Sequence, residues 1–222
     1  MSGARPGELS VSFSPTSDPA AIAYPLRMQI GWPLRGQRIR VRDHRSDTVF
    51  RMLVHLARPA RCEVSRGADD GEPDYVIEAE RFYSQSRTYQ ILDRGGAMAG
   101  WLEYQASLSI FETDFRFYRR DDSIPAFYVN QKVIGPKWLD RLVGRAASEI
   151  AAYPFSRPNY VVSAADGAPI MWMRFSYFSA RRICDVDRMA PSLDRSDEVL
   201  CLLGLSVVAI CEFARRRDDA TT

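Results

Sequence analysis

Residues 199–213 read VLCLLGLSVVAICEF, the one long apolar run in the chain. Ser196, Asp197 and Glu198 precede it, and Arg215, Arg216 and Arg217 follow it. Acids at the start and bases at the end complement a helix dipole, and Ser196 or Asp197 offers an oxygen to cap the first free N–H groups. The run therefore reads as a helix. Apolar residues surround its axis, so it needs apolar contact on every side, from lipid or from protein. At about 1.5 Å per residue, residues 199–211 extend about 20 Å, short of a hydrocarbon core of roughly 30 Å, and Glu212 then interrupts them. A rod enclosed by a β-barrel fits that length better than a C-terminal membrane anchor.

The chain of 222 residues is long enough for one large all-β domain. Its apolar fraction of 46% is ordinary for a globular protein, and a net charge of +2 sets no strong long-range field. Lys132 and Lys137 are the only lysines, so 28 of the 30 basic residues are arginines. Cys62, Cys184, Cys201 and Cys211 show no CxxC or framework spacing, and two of them lie in the apolar run. Buried, reduced thiols of an intracellular protein are expected. The opening MSGARPGELS lacks the apolar core of a secretory signal, which leads us to expect a cytoplasmic protein whose membrane contact, if any, is peripheral.

Residues 1–23 are rich in Ser, Pro, Gly and Ala and read as an N-terminal tail, although LSVSF within them alternates like a short strand. Period-2 alternation then recurs between turn residues. Residues 38–42 place Ile39 and Val41 on one face, 43–47 form a turn, 48–56 a second strand, 67–74 a polar loop and 75–82 another strand. An internal repeat follows. YQILDRGGAMAGWLEY (89–104) aligns without gaps on YVVSAADGAPIMWMRF (160–175), each a strand, a glycine turn and a strand carrying Trp. Gly96 and Gly167 supply the positive φ that hairpin turns need. A weaker copy without glycine spans 115–129. Between the copies, PKWLDRLVGRAASEI (136–150) has helical spacing and reads as an amphipathic helix lying outside the barrel or across one end. Its sparse basic face, Arg141 and Arg145, favours packing over a lipid-facing role.

The hairpin style of YQILDRGGAMAGWLEY and the closing segment LDRSDEVLCLLGLSVVAICEF (193–213) resemble the tubby C-terminal-like barrel, the fold of tubby domains, phospholipid scramblases and LURP-one-related proteins. The resemblance covers roughly residues 24–216. It implies a mainly β fold, a closed antiparallel barrel of about twelve strands around a central hydrophobic C-terminal helix, with residues 217–222 as a short tail. Tubby domains bind phosphoinositides through basic surface residues, and scramblases are associated with bilayers and calcium. No tubby lipid-site motif is visible to transfer. The acids ahead of the helix, Asp185, Asp187, Asp194, Asp197 and Glu198, are candidates for calcium, but an EF-hand-type loop starting at Asp185 would want oxygen ligands at 187 and 189, glycine at 190 and Glu at 196. The chain supplies Asp187 but then Met189, Ala190 and Ser196, so the acids read as a solvated linker with a helix cap. No metal and no cofactor is expected.

Catalytic patterns are missing as well. His44 and His55 lie in neither HExxH nor GxSxG, the pairs Asp69–Asp70 and Asp121–Asp122 fall in turns where acids stay solvated, and no phosphate-cradling glycine loop is present. An enzyme is not expected, and a helix filling the barrel disfavours a small-ligand carrier. The arginines remain. Arg38, Arg40 and Arg42 stand on one face of one strand, either as a solvated face or as an anion site; Arg119 with Arg120 sits at a hairpin tip, and Arg181 with Arg182 near a strand end. The expected function is a non-enzymatic module binding anionic phospholipid or phosphoinositide head groups at a membrane surface through these arginines. The alternative is a structural or protein-interaction domain with an unknown protein partner. The small net charge argues against nucleic acid.

Overall fold

The computed structural model describes residues 22–31, 37–55, 59–67, 71–80, 87–106, 113–134, 157–176 and 183–219. Twelve strands are present among them: β1 (Leu26–Ile30), β2 (Gln37–Arg42), β3 (Thr48–His55), β4 (Ala60–Arg66), β5 (Tyr75–Ala79), β6 (Arg87–Asp93), β7 (Met98–Ala106), β8 (Thr113–Arg119), β9 (Phe127–Ile134), β10 (Arg157–Ala164), β11 (Pro169–Ser176) and β12 (Ile183–Arg188). Each pairs antiparallel with the next in sequence, and β1 closes on β12 through Leu26–Val186 and Met28–Cys184, so the sheet is a closed barrel. The expected fold class is the observed one. The tail before residue 22, the amphipathic stretch 136–150, and Arg181 with Arg182 lie outside the described residues.

Alternation decides the two faces of the wall. In β1 the side chains of Leu26, Met28 and Ile30 are buried and those of Arg27 and Gln29 are exposed, as a pleated strand with one apolar face requires. The inner face meets helix α1 (Arg195–Asp219), whose residues 199–210 are buried all round. Contacts reach it from several walls: Ser206 from Met28 on β1, Cys211 from Tyr89 on β6, Leu200 from Gly100 on β7 and Glu212 from Tyr160 on β10. Ser206 satisfies its hydroxyl on the Leu202 carbonyl at 2.8 Å. Packing is close enough to demand glycine at position 204, where a Cβ would stand 2.4 Å from the Phe117 ring. The helix begins at Arg195 and its cap is Asp194, which accepts from the Ser196 N–H, rather than Ser196 or Asp197. It also continues past the expected boundary to Asp219. Among the described residues no helix is long and apolar enough to cross a membrane.

The internal repeat is a repeat of geometry. In β6–β7 the Asp93 N–H reaches the Ala97 carbonyl and the Gly96 N–H reaches Asp93; in β10–β11 Ala164, Ala168 and Gly167 repeat the pattern. Gly96 and Gly167 have φ of 76° and 84°. A third copy closes β2–β3, with Asp43 bonded to Asp47 and Ser46 taking the glycine position at φ 72°. All three hairpins carry a bulge just after the turn, with Val49, Ala99 and Ile170 as the extra residues. The 115–129 hairpin closes differently, through Asp122 to Arg119 and Ala126 to Phe117. Because the barrel is a meander, these turns all lie at one end, here the turn end, together with the segment before β1 and the start of α1.

The four cysteines are free thiols, three buried and Cys211 half-buried. Burial pushes the Cys62 and Cys211 thiols up to about 12 and raises Cys184 and Cys201 as well. Folding thus keeps protons that the unfolded chain releases near its ordinary thiol value of 9.0. That stabilisation is whole below about pH 9 and is lost as pH rises towards about 12. Denaturation midpoints measured across that window should fall steadily, and the native thiols should resist alkylation at neutral pH until the chain unfolds. The central helix makes a second prediction: Leu203, 1% exposed, tolerates no charge. Leu203→Asp should abolish the cooperative melt seen by circular dichroism, whereas Leu203→Met should cost less than about 1.5 kcal/mol.

Candidate functional site

Ile39 and Val41 of β2 face the helix, which turns Arg38, Arg40 and Arg42 to the outer wall. Register then fixes their neighbours. Arg40 stands opposite Gln29 on β1 and Arg51 on β3, and Arg51 stands opposite Ser65 on β4. One step along, Arg38 faces Leu53, and Leu53 faces Glu63. These two rows line a surface groove of about 220 Å³ that also includes Gly71. Arg40 and Arg51 thus place two cations directly opposite each other on neighbouring strands of the outer wall. Among the described residues no ion pair engages Arg38 or Arg40.

Arg42 differs from the other two. It is half-buried beside Arg27, whose Nε is held by Asp185 at 3.1 Å, and its own Nε is buried with no hydrogen-bond partner among the described residues. Glu63 marks the far side of the groove, with Arg61 Nε at 3.4 Å and His55 Nε2 at 3.8 Å. Sequence reasoning missed Arg51, Glu63 and Ser65. Their signal, outward positions on strands next to β2, becomes readable only once the register is known.

The remaining arginines of the expected set are elsewhere. Arg119 closes β8 on the far wall, where Nε and Nη2 donate to the two oxygens of Asp197 at 2.8 Å each and Asp122 lies at 3.7 Å. Asp197 holds the Arg119 guanidinium strongly in its charged form, so this arginine anchors the first turn of α1. Arg120 lies beside Asp121 at 4.0 Å. β2 and β8 are six strands apart in a ring of twelve, so the two arginine groups do not converge. Ser176 and Ile183, which flank the undescribed Arg181 and Arg182, pair at the end opposite the turns.

The acids considered for calcium are taken up by arginines or by the cap. Asp185 meets Arg27, Asp187 meets Arg174 at 2.7 Å, Asp194 caps α1, and Glu198 receives Arg188, Arg195 and the Tyr24 hydroxyl. Among the described residues no group of three or more His, Cys, Asp or Glu side chains could hold a metal ion. The turn end has one other feature. Ile124, 71% exposed, rises beside Pro125 over a surface hollow of about 650 Å³ rimmed by Asp121, Asp122 and Asp166.

Comparison of the chain with protein-family models, with curated proteins and with solved structures finds no match.

Arg119 and Arg120 are adjacent yet differ in role, and substitution separates them. Arg119→Gln leaves Asp197, 9% exposed, without its two-pronged partner and should lower stability by about 1–2 kcal/mol in denaturant titration. Arg120→Gln should stay within about 0.5 kcal/mol of the parent protein.

Proposed function

We propose that this barrel is a non-enzymatic binding module that docks peripherally on anionic phospholipid surfaces through the outward arginines of β2 and β3. The observation that carries the reading is the Arg40–Arg51 cross-strand pair with Arg38 beside it, where no described acid neutralises Arg38 or Arg40. A guanidinium presents planar paired donors that suit phosphate oxygens, and it keeps its charge at any physiological pH. The filled interior supports the same reading, because residues 199–210 of α1 occupy the space in which a barrel would hold a small ligand. The resemblance to tubby-like and scramblase-like barrels, whose members work at membranes, points the same way. A protein-interaction domain is the second reading, favoured by the exposed Ile124 at the turn end.

Co-sedimentation with vesicles tests the proposal. Binding should require anionic lipid and weaken as salt screens the charges. The double variant Arg38→Gln/Arg40→Gln should bind about thirtyfold more weakly, from about 1 kcal/mol per arginine at an anionic surface. Absence of binding at low salt, or binding that neither salt nor the variant alters, would overturn it.

A further inference from the structure

The groove is not uniformly basic. Arg38, Arg40 and Arg51 occupy one side, the Ser65 hydroxyl lies in the Arg40–Arg51 row, and Glu63 places a carboxylate on the other side across Leu53. A site built only for a phosphate or for diffuse negative charge gains nothing from an acid in its lining, since that acid repels the ligand. Nor does Glu63 spend its capacity locally. Its contacts to Arg61 and His55, at 3.4 and 3.8 Å, are longer than the roughly 2.7–2.9 Å of a charge-assisted hydrogen bond, and they leave carboxylate lone pairs for further donors.

The two rows are two residues apart along their strands, about 7 Å, and neighbouring strands are about 4.8 Å apart. That spacing suits a small head group with separate anionic and cationic parts better than a single phosphate. Resting on the reading of this face as a phospholipid site, we propose that the groove selects a head group carrying both a phosphodiester and a primary ammonium, namely phosphatidylserine among anionic lipids. The phosphodiester lies against Arg40 and Arg51, with the Ser65 hydroxyl as a neutral donor. The serine carboxylate meets Arg38, and the ammonium meets Glu63. The arginines of the lining thus face the two anions of the head group and Glu63 faces the ammonium, with Leu53 standing between Arg38 and Glu63.

Phosphatidylglycerol is the decisive control, because it has the same net charge and phosphodiester but only hydroxyls beyond. The full chain is co-sedimented with phosphatidylcholine vesicles containing equal fractions of either lipid. Wild-type protein should bind the serine lipid about fivefold more tightly, the size of one exposed ion pair. Glu63→Gln, at a surface position, should equalise the two lipids while retaining binding to phosphatidylglycerol. Soluble glycerophosphoserine should displace the wild-type protein from serine-lipid vesicles better than glycerophosphoglycerol does. Equal binding of both lipids by the wild type, a serine preference that survives Glu63→Gln, or failure of glycerophosphoserine to compete better would each overturn the selection while leaving the phospholipid reading standing. No binding to either vesicle would remove both.

Discussion

A helix that is apolar on every face and too short to span a bilayer has to be enclosed by protein, and the rest of this structure follows from that enclosure. A helix with its side chains is about 10–12 Å across, and barrel diameter grows with strand number, so twelve strands make a wall wide enough to admit the rod without leaving a channel. The fit is tight at Gly204 against Phe117 and at Gly100, where a Cβ would stand 2.8 Å from Leu200. Since residues 199–210 fill the interior, the surface left accessible is the outer wall and the two ends.

Enclosing a helix also means burying its polar ends. Glu198 and Glu212, each 4% exposed, would be costly as isolated charges. Arg188, Arg195 and Tyr24 converge on Glu198, and the Tyr160 hydroxyl donates to Glu212. Tyr24 precedes β1 and Arg188 ends β12, so the carboxylate that begins the helix also ties the two strands whose pairing closes the barrel. Burial, and the negative charge of Glu198 that disfavours a phenolate beside it, hold the Tyr24 hydroxyl in its protonated form, and with it the donor this junction needs. Helix insertion and barrel closure therefore share one set of contacts.

Much of this was legible in local sequence. Period-2 alternation located β2, β3 and β5, and the spacing of Asp93 to Gly96 located a hairpin whose aligned copy has the same bonds. Residues 26–30, LRMQI, alternate equally well and pass unnoticed mainly because the run is short. The β2–β3 hairpin was legible as strand, turn and strand, but its likeness to the two repeats hides because Ser46, rather than glycine, adopts the left-handed conformation. What local pattern does not carry is any pairing between distant residues. Arg119 reads as a free basic tip until Asp197, 78 residues away, takes it, and Asp194 displaces Ser196 as the cap through bonds invisible to composition.

The candidate site depends on one such long-range detail, the bulge at Val49, opposite Val41 and Arg42. Without the extra residue, counting back from Arg42–Thr48 would set Arg40 against Phe50, an inward residue, and the two strands would disagree about which face is the core. The bulge restores agreement by pairing Val41 with Phe50, and it brings Arg40 opposite Arg51 as a consequence. The same device in β6–β7 pairs Gln90 with Trp101, and in β10–β11 it pairs Val161 with Trp172. One backbone solution thus serves three hairpins, while the side chains at the paired outer positions are neutral in two and both cationic in one. The fold does not ask for two cations there, since its sister hairpins close with neutral pairs. The two facing arginines are therefore a choice of this hairpin's side chains and not of its backbone, which is why the proposed anion site starts from them.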